Sequence, residues 1–293
     1  EEKDLGSMYV WIPRYAYQIA GEKNIKVTFL KGNSNEGVDG VKYTTDQSTD
    51  TTKTAIVHPG FNLGGTQLRG FWTAKFEASG TNKDGKAVGN ASSSSGSEQY
   101  APDSTTIAKS LPNKISWRHV SIGESEKRSM DITTTAKSSF GLTNGTSHLI
   151  KNSEWGAVSY LGQSQYGLNG TNIRINNLTL NNSKATIYAV TGYAAKTLQN
   201  GDTKLEDARP VTSTEKVYKW TEKDGQTASC TGTIYGIYDM SGGTWERSAA
   251  IVNNGDGNLN TYGKAIMNAL NNGKSSEYVT VYPKGETSGQ SID

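Results

Sequence analysis

Gly236-Ile-Tyr-Asp-Met-Ser-Gly-Gly-Thr-Trp-Glu246 is the stretch on which the reading of this chain turns. It sets small residues and aromatics around two carboxylates, Asp239 and Glu246, and Arg247 follows directly. Its glycines are not those of a phosphate loop, because the Lys and Ser/Thr such a loop needs are missing. No Gly-x-Ser-x-Gly elbow accompanies the many serines either. Shortly upstream stands Cys230, the one cysteine of the chain.

That single cysteine excludes an intrachain disulfide, and with it a stapled mini-domain. A chain of 293 residues has ample length for a hydrophobic core. No apolar run reaches about 18 residues, so no membrane-spanning helix is expected. The 30 basic and 28 acidic side chains nearly cancel, which argues against a nucleic-acid binder. The aromatic content argues against full disorder. Few charges with abundant Asn, Ser, Thr and Gly point to an extracellular or cell-surface protein. The opening Glu1-Glu2-Lys3-Asp4 reads as a trimmed product whose leader is gone.

Working outward, the N-terminal strands are expected within residues 8–30. Met8 to Arg14 reads as a strand edged by Pro13, and Tyr15–Ile19 and Ile25–Leu30 read as two more, joined by a turn at Gly21–Asn24. From 32 to 54 a long loop is expected, with a short strand at Val41–Tyr43. Gly70–Glu77 is the best strand signal in the first half, with Trp72, Ala74 and Phe76 on a solidly apolar face. The Gly/Ser/Asn-rich segment 79–101 reads as a flexible loop. Short helices are expected over Ser104–Ser110 and over Ser121–Met130, the latter with the Ser121/Glu124 capping-box spacing. A stronger helix starts at Ser147 and runs to Leu161, with Ile150, Trp155, Val158 and Leu161 on one stripe and Gly162 as its stop. Further strands are expected at Ile173–Ile175, Ala185–Tyr193 and Ser276–Tyr282. The sum is an α+β fold with few helices, short strands, high loop content and no internal repeat, read as one domain over 1–293.

Two core motifs, within 147–161 and 232–247, carry a family resemblance. The Glu154-Trp155 pair, and Gly236, Ile237, Tyr238, Asp239, Met240, Gly242, Trp245 and Glu246, resemble the formylglycine-generating-enzyme (sulfatase-modifying factor) domain. That domain belongs to the C-type-lectin-like fold class. Two positions depart from its signature: Gly243 stands in place of an Asn and Arg247 in place of a second Trp. The N-terminal and central segments are similar to Firmicutes surface, pilin-like and prophage proteins that carry this domain. The resemblance implies a C-type-lectin-like fold, with Trp245 in the core. It also implies a candidate calcium site at Glu246 and the carbonyls of Gly243 and Thr244, hard oxygen ligands that suit Ca²⁺.

Other chemistry is thin. A formylglycine generator needs a thiolate pair for copper, and Cys230 stands alone. His58, His119 and His148 show no metal-ligand spacing. Glu77, Asp239 and Glu246 are acidic candidates, but nothing local sets the carboxylate separation that glycoside hydrolysis demands. The expected function is therefore an extracellular, non-enzymatic module binding glycan or protein, displayed on a cell surface, pilus or phage tail. Its binding surface is expected on two loop-rich segments. Tyr166, Asn169 and Asn172 lie in 162–184, and Asn253, Asn254, Asn258, Asn260 and Tyr262 in 248–275. A filament subunit contacting neighbouring copies, and a residual oxidase, are the alternatives.

Overall fold

Tyr15-Ala-Tyr is a run of apolar residues without alternation, and the fold explains why: this strand is covered on both sides. In the computed structural model, which describes residues 6–85, 88, 102–118, 120–176, 179–182, 186–194, 218–253, 255–270 and 277–283, β1 is Tyr9–Pro13. Next come β2 (Tyr15–Gly21) and β3 (Asn24–Phe29), an antiparallel hairpin, and β4 (Ile56–Val57), which joins the other edge of β2. Tyr15, Tyr17, Ile25, Val27 and Ile56 bury one face against Phe61, Ala157 and Val158, forming the main core. Ala16, Leu30 and Val57 form a smaller cluster with Tyr43.

The chain is a mixed α+β structure with modest helical content and short, mostly antiparallel strands. No helix among the described residues is long and apolar enough to cross a membrane. Between β1 and β2 lies Arg14, 1% exposed. Its guanidinium donates to Ser34 O at 3.0 Å, Asn35 Oδ1 at 2.7 Å and Gln67 Oε1 at 2.7 Å. A buried cation is tolerated here because neutral oxygens replace its hydration.

β1 pairs antiparallel with the Gly70–Ala74 strand, placing Trp11 directly opposite Trp72. The expected apolar face of Gly70–Glu77 is corrected in two places. Trp72 is 65% exposed, whereas Lys75 is buried. The strand ends at Ala74, so the period-2 alternation does not extend to Lys75 and Phe76. The Lys75 ammonium donates to the Ile234 carbonyl and lies 5.1 Å from the Trp220 ring centre, a cation–π contact that offsets its burial.

Helix α1 (Ile122–Asp131) is capped as its sequence predicts, with Ser121 Oγ accepting from Glu124 N at 3.2 Å. Helix α2 (Asn152–Gln163) starts later than Ser147. Lys151 precedes it, its N–H donating to Glu154 Oε2 at 2.9 Å, while Ser147 Oγ is held 2.8 Å from Thr133 Oγ1. Gly162 does not stop this helix. It lies in the last turn of α2, where glycine is needed because a Cβ would meet the Cys230 carbonyl oxygen at 2.8 Å. No helix forms over Ser104–Ser110. Asp103 Oδ1 accepts from Thr105 N at 2.9 Å and Thr105 Oγ1 at 2.6 Å, a local turn that competes with helix. Lys109–Ser110 then pairs with Ala78–Ser79 as a short strand.

Neither Val41–Tyr43 nor Ile173–Ile175 forms a strand. Isolated bridges occur instead, at Lys42, Thr44 and Asn176. Thr186–Ala189 and Tyr193–Ala194 are strands, and Thr280–Pro283 is the last, running parallel to Ala250–Asn253. The described part of 248–275, expected to be loop-rich, is mostly regular structure. It holds Ala250–Asn253, α3 (Gly257–Tyr262) and α4 (Lys264–Ala269), whose Ile251 and Ile266 are buried with Ala249 and Val279. Of the expected flexible loop 79–101, residues 86, 87 and 89–101 lie outside the described residues.

Candidate functional site: an aromatic cleft over buried carboxylates

The Gly236–Glu246 segment runs beside the residues that follow the Gly70–Ala74 strand. Tyr238 N donates to Lys75 O at 2.8 Å, and Glu77 N reaches Asp239 Oδ2 at 3.4 Å. Asp239 adopts φ 66°, a left-handed conformation that Asp tolerates better than most residues, and it is 1% exposed. Its Oδ1 accepts from Asn176 Nδ2 at 2.7 Å and from Gly192 N at 3.0 Å. Asp239 therefore ties three distant segments together from within the motif.

Gly242 and Gly243 follow, both at positive φ. A Cβ on Gly242 would sit 2.1 Å from Asn176 O, and one on Gly243 only 2.5 Å from Glu77 Oε1. The Asn expected at position 243 by resemblance would displace Glu77, so glycine here belongs to the geometry of that carboxylate. Gly243 N donates to Asn176 O at 2.8 Å and Thr244 N to Glu77 Oε1 at 2.8 Å. Because this backbone faces inward, the next side chain turns out. Trp245 is 93% exposed, which corrects the expectation of a core residue. Glu246 Oε2 accepts from Trp155 Nε1 at 2.6 Å, joining this motif to the Glu154-Trp155 pair on α2.

Burial, and then the charge of Asp239, pushes the Glu77 carboxyl well above its usual range. The Ser116 hydroxyl lies near enough to favour the charged form of Glu77, yet it stands outside hydrogen-bond geometry, and Glu77 Oε2 has no partner. Burial also raises Asp239 to about 6. Glu246 is raised to about 7, because although its residue surface opens to the cavity, the protein around the carboxylate displaces most of its water.

Glu77 and Glu246 line a cavity of about 1370 Å³. Trp11, Trp72, Trp117, Trp155 and Trp245 line it as well, five of the six tryptophans in the chain. Trp11 and Trp72 have ring centres 5.4 Å apart and are 41% and 65% exposed. His148 and Glu154 line the cavity too, with His148 Nε2 3.0 Å from Glu154 Oε2. The sixth tryptophan, Trp220, does not line the cavity but packs against Phe76 and Tyr238, which do.

The residues singled out as calcium ligands, Glu246 and the carbonyls of Gly243 and Thr244, lie on the segment that turns past Glu77. Gly243 and Thr244 turn N–H groups toward Asn176 and Glu77, and Glu246 Oε2 is held by an indole donor. Among the described residues no group of three or more His, Cys, Asp or Glu is arranged for a metal. Cys230 is buried, its sulfur accepting from Ile237 N at 3.3 Å, and burial raises its thiol to about 11. That environment suppresses thiolate.

The amide-rich loop candidates lie elsewhere, and none of the described ones lines the cavity. Tyr166 lies against Phe29 with tilted rings 4.7 Å apart, Asn169 holds a left-handed turn at φ 49°, and Asn172 Oδ1 accepts from Lys23 Nζ at 2.8 Å. Asn253 ends a strand opposite Pro283, and Asn258, Asn260 and Tyr262 belong to α3, where Asn258 N is capped by Asp256 Oδ1 at 2.8 Å. Asn254 lies outside the described residues. The residues sequence reasoning missed are the tryptophans at 11, 72 and 117. No family model, curated protein or solved structure matches this chain.

Proposed function

We propose that this chain is an extracellular, non-enzymatic binding module that takes a glycan in the tryptophan-lined cleft. The observation that carries the reading is the gathering of five of six tryptophans around one cavity that also holds Glu77 and Glu246. Indole faces match the C–H faces of sugar rings, and a few fixed polar groups orient a ligand among apolar walls. The low-charge, hydroxyl- and amide-rich composition suits display on a cell surface, a pilus or a phage tail. A C-type-lectin-like domain of the formylglycine-generating-enzyme type remains the fold we propose, on the two motifs that meet at the Trp155–Glu246 hydrogen bond. The suppressed thiol of Cys230 speaks against oxidase chemistry through that residue.

A second reading has its own observation. Trp245 and Tyr235 are 93% and 81% exposed, which suits contacts between copies in a filament. A screen of immobilised glycans and of host-surface proteins, run with and without EDTA, separates the two. The proposal expects glycan capture that EDTA leaves unchanged. Protein capture without glycan capture, or self-assembly with no captured ligand, would overturn it.

A further inference from the structure

Resting on that reading of the cleft, we infer that its ligand is an acidic oligosaccharide, bearing carboxylate or sulfate groups, stacked on the Trp11–Trp72 pair and held by Lys109 and Arg247. Three observations lead there. The first is where the cations stand. Lys109, Arg118 and Arg247 all line the cavity, and they arrive from three separate segments. Lys109 lies opposite Ser79 in the short ladder formed with Ala78–Ser79. Arg118 follows Trp117, whose backbone N–H donates to Ala78 O at 2.8 Å. Arg247 follows the motif whose Thr244 N donates to Glu77 Oε1 at 2.8 Å. The three basic positions thus gather around one short stretch, residues 77–79. Lys109 and Arg247 are exposed, and among the described residues neither is paired with an acid.

The second observation is what the acids already do. Glu77, Glu154 and Glu246 also line the cavity, but each accepts a donor of the protein itself: Thr244 N at 2.8 Å, Lys151 N at 2.9 Å and Trp155 Nε1 at 2.6 Å. Glu154 is buried and faces His148 as well. Burial raises Glu77 and Glu246, so neither brings a full negative charge to the wall near neutral pH. The charge this wall offers an arriving ligand is therefore positive, and complementary charge selects an anionic one. The guanidinium fork of Arg247 matches a carboxylate, and the Lys109 ammonium can take any anionic oxygen. The third observation is shape. Trp11 and Trp72 are cross-strand partners on a two-stranded ribbon, an exposed aromatic platform that folding alone does not bury. The cavity volume of about 1370 Å³ exceeds the usual range for a small-molecule site, which suits a chain of rings rather than one.

Isothermal titration of the full chain tests this with probes matched in all but charge: tetragalacturonate and its methyl ester, sialyllactose and lactose, sulfated cellotetraose and cellotetraose. At least one acidic member is expected to bind, roughly tenfold more tightly than its neutral counterpart, as two charged contacts at an exposed wall imply. Lys109→Gln combined with Arg247→Gln should remove that preference. Neither side chain is paired with an acid of the protein, so an unchanged melting temperature keeps the comparison clean. Trp72→Ala, which leaves both cations in place, should weaken the acidic probe roughly fivefold, the worth of one stacking contact. Neutral members that bind as tightly as their acidic counterparts would overturn the inference while leaving a glycan-binding cleft standing. Acidic binding untouched by the double charge substitution or by Trp72→Ala would overturn it too. A single-stranded nucleic acid also combines charge with stacking. Binding of a thymidine octanucleotide with no saccharide bound, or no binding by any probe, would remove both this inference and the glycan reading beneath it.

Discussion

Replacing Asp239 removes the acceptor around which three segments of the chain are assembled. Asp239→Ala removes the acceptor of Gly192 N and Glu77 N, at 3.0 and 3.4 Å, and one of two acceptors of Asn176 Nδ2, at 2.7 Å, leaving that amide its bond to Val190 O at 2.8 Å. Two of these are well-formed bonds in a fully buried place, and each buried N–H left without its acceptor costs about 1–3 kcal/mol. Relief from burying a carboxylate offsets part of this, and alanine at positive φ adds about 1 kcal/mol. The expected loss is about 3–4 kcal/mol, read by urea denaturation at constant m-value. Asp239→Asn keeps an oxygen for Asn176 and Gly192, tolerates the left-handed backbone, and forfeits mainly the long contact to Glu77. It should cost about 1 kcal/mol. The pH dependence adds an independent check. Asp239 is raised to about 6 in the folded chain, so its contribution is full below the ordinary carboxylate value and is lost as pH rises through about 6. Relative to wild type, Asp239→Asn should lack that decline between about pH 4 and 6. An alanine variant that loses less than about 1 kcal/mol, or an asparagine variant as damaged as the alanine one, would refute the hub assigned to this residue.

His58 should act with the opposite sign. Its Nδ1 accepts from Gly60 N at 3.1 Å within a cage that includes Tyr15 and Tyr17, and burial lowers it to about 3. Its contribution is therefore present above the unfolded value near 6.5 and is lost as pH falls toward 3, so His58→Asn should flatten the acid limb of the stability curve; an unchanged limb contradicts the assignment. Cys230, buried and raised to about 11, should resist iodoacetamide at neutral pH in the native chain and react on unfolding in urea. Rapid labelling of the native chain would show that the thiol is not enclosed as described.

The parts of the fold that local patterns report were legible in the sequence. The β2–β3 hairpin and Pro13 at the end of β1 follow from alternation and backbone chemistry, and the Ser121 cap of α1 from the spacing to Glu124. What failed did so where distant residues decide. Gly162 looks like a helix stop until the Cys230 carbonyl is seen against it, and Trp72 looks like core until its strand proves to be half of a two-stranded ribbon. The amide-rich stretches suggested binding loops, yet Asp256 turns one of them into a capped helix. The cleft was the least legible feature. Its tryptophans come from positions between 11 and 245, and no spacing announces that they converge.

The indole N–H groups of the six tryptophans, followed by NMR in a ¹⁵N-tryptophan-labelled chain titrated with oligosaccharides, test the cleft most directly. Trp117 and Trp155 line the cavity, with Trp155 Nε1 already bound to Glu246, whereas Trp220 lies behind its wall, against Phe76 and Tyr238. Saccharide in the cleft predicts saturable shifts of the Trp117 and Trp155 signals together with those of Trp11 and Trp72, each larger than the shift of Trp220, which does not line the cavity. Shifts confined to Trp220, or a spectrum that no saccharide moves, would contradict the account.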